Sequence, residues 1–356
     1  MRVVRIKFER FIRNAKLLSP LQQFEVDSTQ IEYRIDPLSG YMGCIVSDKD
    51  AEWVDKFFFT NPDPKLIEEV VEKTKQNCFF CPENLEKATP KFTEDIVPEG
   101  RIHVGDASVF PNLNPYCEYS AVVVISKKHY IQLDEFTPEV FANGLHASMV
   151  FLRKLRQAKP SIRYAAIGLQ YLYPAGSSII HPHMQVLATD IPIMYVAKLL
   201  DLSAKYYQAH GVNYWKELVE TEKKLGERYV GRMGNVDWYT PYTPMGFGEV
   251  HAVVTEKSSF TELTDEDVNN LGEGLSRITR YYKEKNCSTF SFVAYTGPMN
   301  EVLEHFCVGL KIVLRPHVKS LYTNDAWFMP HLLQQPIIRG TPEMVASSLR
   351  KYFDAT

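Results

Sequence analysis

Long apolar runs, cysteines and an excess of one charge are all scarce in this sequence. Six cysteines in 356 residues are too few for a disulfide scaffold and predict a reducing compartment. A formal net charge of −3 provides no global positive field to hold nucleic acid or an anionic membrane. No segment approaches 18 uncharged apolar residues, so no membrane span is predicted. The basic N-terminal segment lacks the apolar core of a signal peptide, and we therefore expect a cytoplasmic protein.

The length of 356 residues exceeds that of a typical single core and predicts two domains or two fused halves. After a hairpin at 32–47, the predicted order of strand, helix, strand and strand occurs twice, which suggests a duplication. The first set is predicted at 121–126, 133–155, 164–172 and 186–188, and the second at 249–255, 263–283, 289–295 and 307–314. Residues 196–248 are predicted to form a long helical connection that ends in the loop 241–248. The fold class is therefore α+β, with the halves at 1–195 and 196–356.

Two cysteines stand close together in the run Cys78-Phe79-Phe80-Cys81. This spacing allows both thiolates to bind one zinc ion, which needs two further nitrogen or sulfur ligands. His129 and His181, which lie at predicted strand ends in the same half, are the candidates. A redox pair or two metal-free buried cysteines are the alternatives.

The run His181-Pro182-His183-Met184-Gln185 carries the candidate catalytic residues. Side chains on an extended segment repeat every two residues, so both imidazoles and the Gln185 amide are predicted on one face. A neutral imidazole is a competent nucleophile towards phosphorus, and a covalent intermediate divides one exchange into two easier steps. The preceding turn, with Gly176, Ser177 and Ser178, offers N–H groups and hydroxyls to a phosphate. Alternatively, both histidines are metal ligands on an edge strand.

These motifs resemble the galactose-1-phosphate uridylyltransferase family, the transferase branch of the histidine-triad superfamily. The resemblance covers nearly the whole chain and is most specific in AGSSIIHPHMQ at 175–185, with support from RIDPLSG at 34–40, CFFCPEN at 78–84, VFPNLNPY at 109–116 and VVVISKKH at 122–129.

The resemblance implies two fused half-domains, each an antiparallel sheet with packed helices, and a homodimer. It implies a structural Zn²⁺ at four ligands, covalent nucleotidylation of His183, and phosphate contacts from Ser178 and Gln185. Phe110 and Asn112 belong to the stretch that resembles the loop lining the nucleoside pocket. The four implied zinc ligands are Cys78, Cys81, His129 and His181.

The chain departs from the family pattern in the second half. It lacks a His-x-His pair before Leu314-Arg315, so no second metal site is predicted there. Asp325-Ala326-Trp327-Phe328 replaces a Tyr-Glu pair expected to contact the hexose, and Lys49 is the nearest basic residue where arginines are expected after the first hairpin. Lys311, Arg315 and Lys319 are candidates to bind the second substrate's phosphate, with solvated surface charge as the alternative.

The first functional hypothesis is transfer of UMP between a UDP-hexose and a sugar 1-phosphate, with no nucleic-acid or membrane partner. The second keeps the His183 chemistry but transfers an adenylyl group to phosphate, as in relatives acting on ADP-glucose, adenylyl sulfate or diadenosine tetraphosphate. A zinc-stabilised nucleotide-binding module without catalysis and a histidine-triad hydrolase are the remaining alternatives. Gln185 disfavours the hydrolase, because an amide cannot shuttle a proton.

Overall fold

A computed structural model describes residues 5–47, 62–320 and 324–354. Lys49 lies outside these ranges. The strands of the described residues are β1 (Glu9–Ser19), β2 (Glu25–Ile35), β3 (Met42–Ser47), β4 (Ile102–Val104), β5 (Ala107–Pro111), β6 (Tyr119–Val124), β7 (Tyr164–Tyr171), β8 (His183–Thr189), β9 (Tyr229–Met233), β10 (Val236–Tyr239), β11 (Val250–Val254), β12 (Phe290–Tyr295), β13 (Val308–Leu314) and β14 (Ile337–Arg339). The helices are α1 (Pro64–Lys75), α2 (Pro82–Ala88), α3 (Pro138–Ala158), α4 (Met194–His210), α5 (Tyr214–Leu225), α6 (Asp265–Glu284), α7 (Phe328–Leu332) and α8 (Pro342–Asp354).

Ten strands form one antiparallel sheet in the order β4-β5-β6-β8-β7-β12-β13-β11-β10-β9. The order is symmetric about the junction between β7 and β12. Each half contributes three strands, a long helix and two further strands, so the predicted duplication is confirmed at the level of the fold. The junction carries ladder hydrogen bonds along its length, and one continuous sheet therefore joins the halves.

The long helices α3 and α6 begin in the same way in both halves. The side chains of Thr137 and Thr264 accept hydrogen bonds from the backbone N–H three residues later, and threonine is a favoured residue at this position. The two helices pack closely: a Cβ on Gly272 would lie 2.8 Å from the Pro138 carbonyl oxygen. Their buried faces belong to the main hydrophobic core together with side chains of the large sheet.

One row of paired residues crosses most of the sheet and defines equivalent positions in the two halves. Gln185 pairs with Gly168, Gly168 with Val293, and Val293 with Lys311. Lys311 therefore takes the place in the second half that Gln185 has in the first. Two residues before Lys311, Gly309 takes the place of His183. The row continues outward to Val122 and Phe110 in the first half, and to His251 and Tyr239 in the second.

The prediction for residues 196–248 is correct for the helices of its first part and for the loop at 241–248, which lies between β10 and β11, but wrong for the segment between them. Helices α4 and α5 occupy the first part, with Asn213 capping α5. Gly226 then ends α5 in the left-handed conformation at φ +68°, and β9 and β10 follow as a hairpin. Gly234, at φ +55° between these strands, is a turn signal that the prediction overlooked.

A second sheet has the order β1-β2-β3-β14 and contains the hairpin predicted at 32–47. Because β14 pairs with β3, this sheet joins segments from both ends of the chain across the predicted boundary at residue 195. The division at residue 195 stays a prediction. None of the described helices is long and apolar enough to cross a membrane.

Candidate active site and metal centre

The loop before β8 has an unusual backbone. Leu172, which is buried, has φ +65° and ψ 165°, and Gly176 has φ +97°. A positive φ is costly for a leucine and is tolerated where the surrounding structure imposes it. The loop therefore carries local strain directly before the segment with the two histidines.

His183 is the first residue of β8 and is 8% exposed. Its Nδ1 lies 2.7 Å from the carbonyl oxygen of His181, so Nδ1–H donates and Nε2 keeps its lone pair. Burial lowers the pKa of His183 below its usual range, while the hydrogen bond to the carbonyl acts in the opposite direction. The ring also meets Phe80 edge-on at a centroid distance of 5.2 Å. His183 is thus a neutral imidazole with one fixed tautomer, which is the nucleophilic form.

A cavity of about 680 Å³ lies over the junction of the two halves. Its wall includes His183 and Gln185 from β8, Gly168 and Gln170 from β7, and residues of β12 and β13. His183 and Gln185 share this wall, as the alternation of a strand predicts. The His181 ring lies elsewhere, among the cysteines, because His181 precedes β8 and does not follow its alternation.

Two cations from the second half, Lys311 and Arg315, line the same cavity. Asp325 binds the Arg315 guanidinium through two hydrogen bonds, of 2.5 and 2.7 Å. Arg315 also donates to the Ala175 carbonyl and the Ser291 hydroxyl, at 3.2 and 3.3 Å. Arg315 therefore ties the turn before the histidines to the second half. Lys319 is not part of the cavity wall.

Cys78, Cys81, His129 and His181 form a buried cluster whose possible ligand atoms all lie within 4.8 Å of one another. The Cys81 Sγ atom is 3.5 Å from His129 Nδ1 and 3.7 Å from His181 Nδ1, and Cys78 Sγ is 3.6 Å from His181 Nδ1. A tetrahedral zinc ion places its sulfur and nitrogen ligands about 3.6 Å apart. The four residues therefore fit one Zn²⁺.

The surroundings of the cluster support this fit. The outer nitrogens of the two rings are occupied, His181 Nε2 by the Ser126 carbonyl at 2.7 Å and His129 Nε2 by the Thr74 hydroxyl at 3.0 Å. Such contacts orient metal-binding histidines. Burial, followed by the neighbouring Cys78, raises the pKa of Cys81 to about 12, and burial lowers the pKa of His181 to about 4. A bound divalent cation would favour the Cys81 thiolate, which this environment otherwise disfavours.

The predicted substrate-binding residues do not all reach the cavity. Gly176 lines it, but Ser177 is buried with its hydroxyl donating to the Ile179 carbonyl, and Ser178 is exposed. Phe110 is buried against Phe80, with ring centroids 5.5 Å apart. Asn112 accepts a hydrogen bond from the backbone of Asn114. Contacts of Ser177, Ser178, Phe110 and Asn112 with a substrate stay predictions.

Several cavity residues escaped the sequence analysis. Gln170, Glu249 and Ser291 line the cavity, as does Tyr116, which follows Phe110 and Asn112 in the same predicted loop. Alternation along β7 could have identified Gln170, because it lies two residues from Gly168 on the same face. No local signal marks Glu249, since only the pairing of distant strands brings it to this wall.

No protein-family model matches the chain. An uncharacterized protein of Archaeoglobus fulgidus is 29% identical over 347 residues, which cover 97% of this chain and 98% of that protein. Among solved structures, an ADP-glucose phosphorylase from Arabidopsis thaliana with bound ADP-glucose has a TM-score of 0.67 at 19% identity, covering 90% of this chain and 99% of that one.

Two further structures give similar values. A GalT-like protein from Arabidopsis thaliana has a TM-score of 0.66 at 18% identity, covering 90% of this chain and 98% of that one. A uridylyltransferase has a TM-score of 0.65 at 20% identity, covering 90% of this chain and 98% of that one. The chain therefore shares the fold of this ADP-glucose phosphorylase, this GalT-like protein and this uridylyltransferase, and its large sheet consists of two halves with the same order of strands.

Proposed function

We propose that the protein is a nucleotidyltransferase that carries the transferred nucleotidyl group on His183. The observation that supports this most directly is the state of the His183 ring, which is neutral, oriented by its Nδ1–H bond to the His181 carbonyl, and part of the cavity wall. Burial and the hydrogen bond give Nε2 a defined direction and a lone pair at neutral pH.

In the first step, the Nε2 lone pair forms a bond to the α-phosphorus of the donor. The bond from that phosphorus to its bridging oxygen breaks, and the electron pair leaves with the departing phosphate. In the second step, an acceptor phosphate oxygen attacks the same phosphorus, and the electron pair of the P–N bond returns to Nε2. The first step leaves the ring positively charged, because Nδ1 keeps its proton next to the His181 carbonyl, and this charge balances that of the departing phosphate. The second step returns the ring to its neutral form.

Hydrogen-bond donors and cations on the cavity wall fit these phosphates. The amides of Gln170 and Gln185 can donate to non-bridging oxygens without supplying an acidic proton. Lys311 and Arg315 place positive charge on the side of the second half. Because Asp325 already pairs with Arg315, we assign Lys311 the larger part in binding the leaving or entering phosphate.

For the substrates, we propose UMP transfer between a UDP-hexose and a sugar 1-phosphate as the first candidate. Transfer of AMP to inorganic phosphate, with ADP-glucose, adenylyl sulfate or diadenosine tetraphosphate as donor, is the second. One observation favours the second candidate: Asp325 binds Arg315 in the region where a Tyr-Glu pair would be expected to contact a hexose. A small anion such as phosphate needs no such sugar contact.

We further propose that the Cys2His2 cluster holds a structural Zn²⁺, which when bound fixes the Cys78–Cys81 segment against the histidine strand. Closed sites with four protein ligands stabilise a fold rather than react. The active unit is proposed to be a cytoplasmic homodimer. Exposed apolar side chains on the β1–β2 hairpin, including Leu18, Leu21 and Phe24, support a partner surface there.

Intact-protein mass spectrometry after brief incubation tests the mechanism. UDP-glucose, UDP-galactose, ADP-glucose, adenylyl sulfate and diadenosine tetraphosphate are supplied separately. A UMP adduct supports the first candidate, and an AMP adduct supports the second. His183→Asn should remove the adduct, whereas His103→Asn, on an exposed histidine bonded to Ser108, should retain it. An adduct that survives His183→Asn would contradict the proposal.

A further inference from the structure

A second chamber, of about 440 Å³, adjoins the His183 cavity. It lies over β10, β11 and β13 and is lined by residues of α4, α5 and the turn between β2 and β3. Met245, Glu249 and Lys311 line both spaces and form the boundary between them. The mechanism proposed for His183 does not use the rest of this chamber.

The equivalent place in the first half is filled by protein. There, Phe80 of the cysteine segment packs on Phe110 and belongs to one buried cluster with Val122. In the row that crosses the sheet, Tyr239 and His251 are the counterparts of Phe110 and Val122, and both line the chamber. In the first half the Phe80 ring thus covers β5 and β6, whereas in the second half the space over the equivalent strands β10 and β11 is a chamber.

The chamber wall is suited to a flat, polar ring. Eight of its lining residues are aromatic. Four lining residues carry buried polar atoms without a hydrogen-bond partner in the described part of the chain: Trp215 Nε1, Glu222 Oε2, Tyr242 Oη and Thr243 Oγ1. Because buried polar groups normally find partners, these atoms indicate a ligand with both donors and acceptors at its edge. A nucleobase offers such an edge together with two faces for stacking.

The charged side chains of the chamber differ between its buried end, at Glu222, and its boundary with the His183 cavity, at Lys311. Glu222 is 1% exposed, and one of its oxygens accepts from Arg228 Nε at 3.1 Å. Lys198 is exposed, and Lys311 is half-buried at the boundary with the His183 cavity. The buried end therefore favours a neutral group with N–H donors, and the lysines favour an anionic group. Asp36 and Glu249 also line the chamber, but their carboxylates already accept hydrogen bonds from Ser39 and His251. A nucleotide has this polarity, with its base at one end and its phosphate at the other.

The second half has no imidazole at the position equivalent to His183, and the histidine of the chamber, His251, is bound through its Nε2 to Glu249 at 2.6 Å. Gly309 stands where His183 stands in the first half, and the Tyr295 ring occupies the space beside it, since a Cβ on Gly309 would lie 2.4 Å from this ring. Lys311, the counterpart of Gln185, lies at the chamber boundary with its ammonium 4.0 Å from the centre of the Tyr195 ring. It can bind a phosphate but offers no nucleophile comparable to a neutral imidazole.

We infer that this chamber is a second, non-catalytic nucleotide site, with the base against Trp215 and Tyr242 and the phosphate towards Lys311. The site would bind a nucleotide whether or not His183 is modified. It shares with the proposed function the class of ligand and Lys311, which lines both spaces.

Titrations with AMP and with UMP test this inference. The protein is the full chain carrying His183→Asn, so that no covalent adduct forms. Calorimetry should give two nucleotides per chain for at least one of the two probes, and the fluorescence of Trp215 should change during saturation of one site. Trp215→Phe and Tyr242→Phe should each weaken that site about three- to tenfold, as expected for one lost hydrogen bond. Tyr207→Phe, outside the chamber, should have no effect.

A filling variant keeps the test decisive if hydrogen-bond variants misfold. Leu38→Trp should lower the affinity of the second site at least about tenfold by occupying the chamber, whereas Val302→Trp, on an exposed residue that lines neither space, should not. A stoichiometry of one that is insensitive to Leu38→Trp would overturn the inference. Equal displacement of AMP and UMP by glucose 1-phosphate, followed through Trp215, would overturn the assignment of a base.

The outcomes also separate this inference from the proposed function. If the protein forms an adduct on His183 but binds only one nucleotide, the second site is contradicted and the covalent mechanism is not. Two bound nucleotides in a wild-type protein that never forms an adduct contradict the covalent mechanism alone.

Discussion

The two halves of the ten-stranded sheet have the same order of strands but place different chemistry on equivalent positions. The first half has His183 and Gln185 on β8, and a cysteine segment covers its outer strands. The second half has Gly309 and Lys311 on β13, and a chamber lies over its outer strands. The order of the strands alone therefore does not distinguish the two halves. The halves differ in the side chains at two positions of one strand and in whether a segment of the chain covers the neighbouring strands.

This comparison explains why the candidate active site lies at the junction. The His183 cavity takes its imidazole from the first half and its cations, Lys311 and Arg315, from the second. Gln185 and Lys311 are three strand spacings apart, or about 14 Å. Each half alone would thus supply only part of what phosphate transfer requires, namely a nucleophile or a positively charged wall.

Moving the histidine should show the largest effect. His183→Gly should lower the exchange rate at least about a thousandfold, because the covalent route is lost. We expect His183→Gly combined with Gly309→His to restore neither rate nor adduct, since the Tyr295 ring fills the space beside residue 309. Exchange kinetics and intact mass measure both. An adduct on residue 309 would show that the second half retains a working site.

Removing the metal centre should affect stability next most strongly. Cys78→Ser should lose the bound zinc and lower the thermal unfolding midpoint by about 10 °C or more, because metal binding is coupled to folding. Cys117→Ser, on a half-buried cysteine outside the cluster, should change neither quantity. Metal content and calorimetry provide the readouts. A metal-free Cys78→Ser protein with an unchanged midpoint would contradict a stabilising role for the metal.

Much of the fold could be predicted from local patterns. Thr137 and Thr264 mark the starts of α3 and α6 because capping is local and precedes an apolar periodicity. The hairpin β9–β10 was missed because short strands after two helices carry little periodic signal, and only the turn at Gly234 marks it. The continuous sheet across β7 and β12 could not be read from the sequence, since pairing between distant strands leaves no spacing pattern.

The residues of the candidate site also fall into those that a local pattern predicts and those that it does not. His183 and Gln185 were predicted to share a face, and both line the cavity because they alternate on one strand. The expectation that His181 joins them is wrong, since its ring turns to the cysteines before β8 begins. Glu249 was missed because the pairing of the distant strands β11 and β13 brings it to the cavity wall. Its own hydrogen bonds are local. It accepts hydrogen bonds from the backbone of Met245 and Gly246, and from His251 at 2.6 Å.

A smaller effect is expected from pH acting on the chamber of the second half. Burial raises the pKa of Glu222 from its ordinary value to about 7. Between pH 4.5 and 7 the folded protein then binds more protons at this residue than the unfolded chain, so the free energy of unfolding should fall as pH rises, by at most about 3 kcal/mol. Urea unfolding across this range should show the slope in the wild type and a reduced slope in Glu222→Gln. Equal slopes would show that Glu222 titrates normally.

The smallest expected effect is on stability and comes from a substitution of Gly309, which stands at the position equivalent to His183. Gly309→Ala should destabilise the protein by about 1–3 kcal/mol, because the new Cβ would meet the buried Tyr295 ring. In a Tyr295→Leu background the same substitution should cost much less, since the planar ring is gone. Thermal unfolding of the four proteins in this cycle measures the coupling. A strong coupling would mean that the Tyr295 ring is the reason why residue 309 has no side chain. A histidine at position 309 would then require a smaller residue at position 295 as well. An additive cycle would instead mean that a side chain at 309 is tolerated and that packing does not explain why the second half lacks a nucleophile.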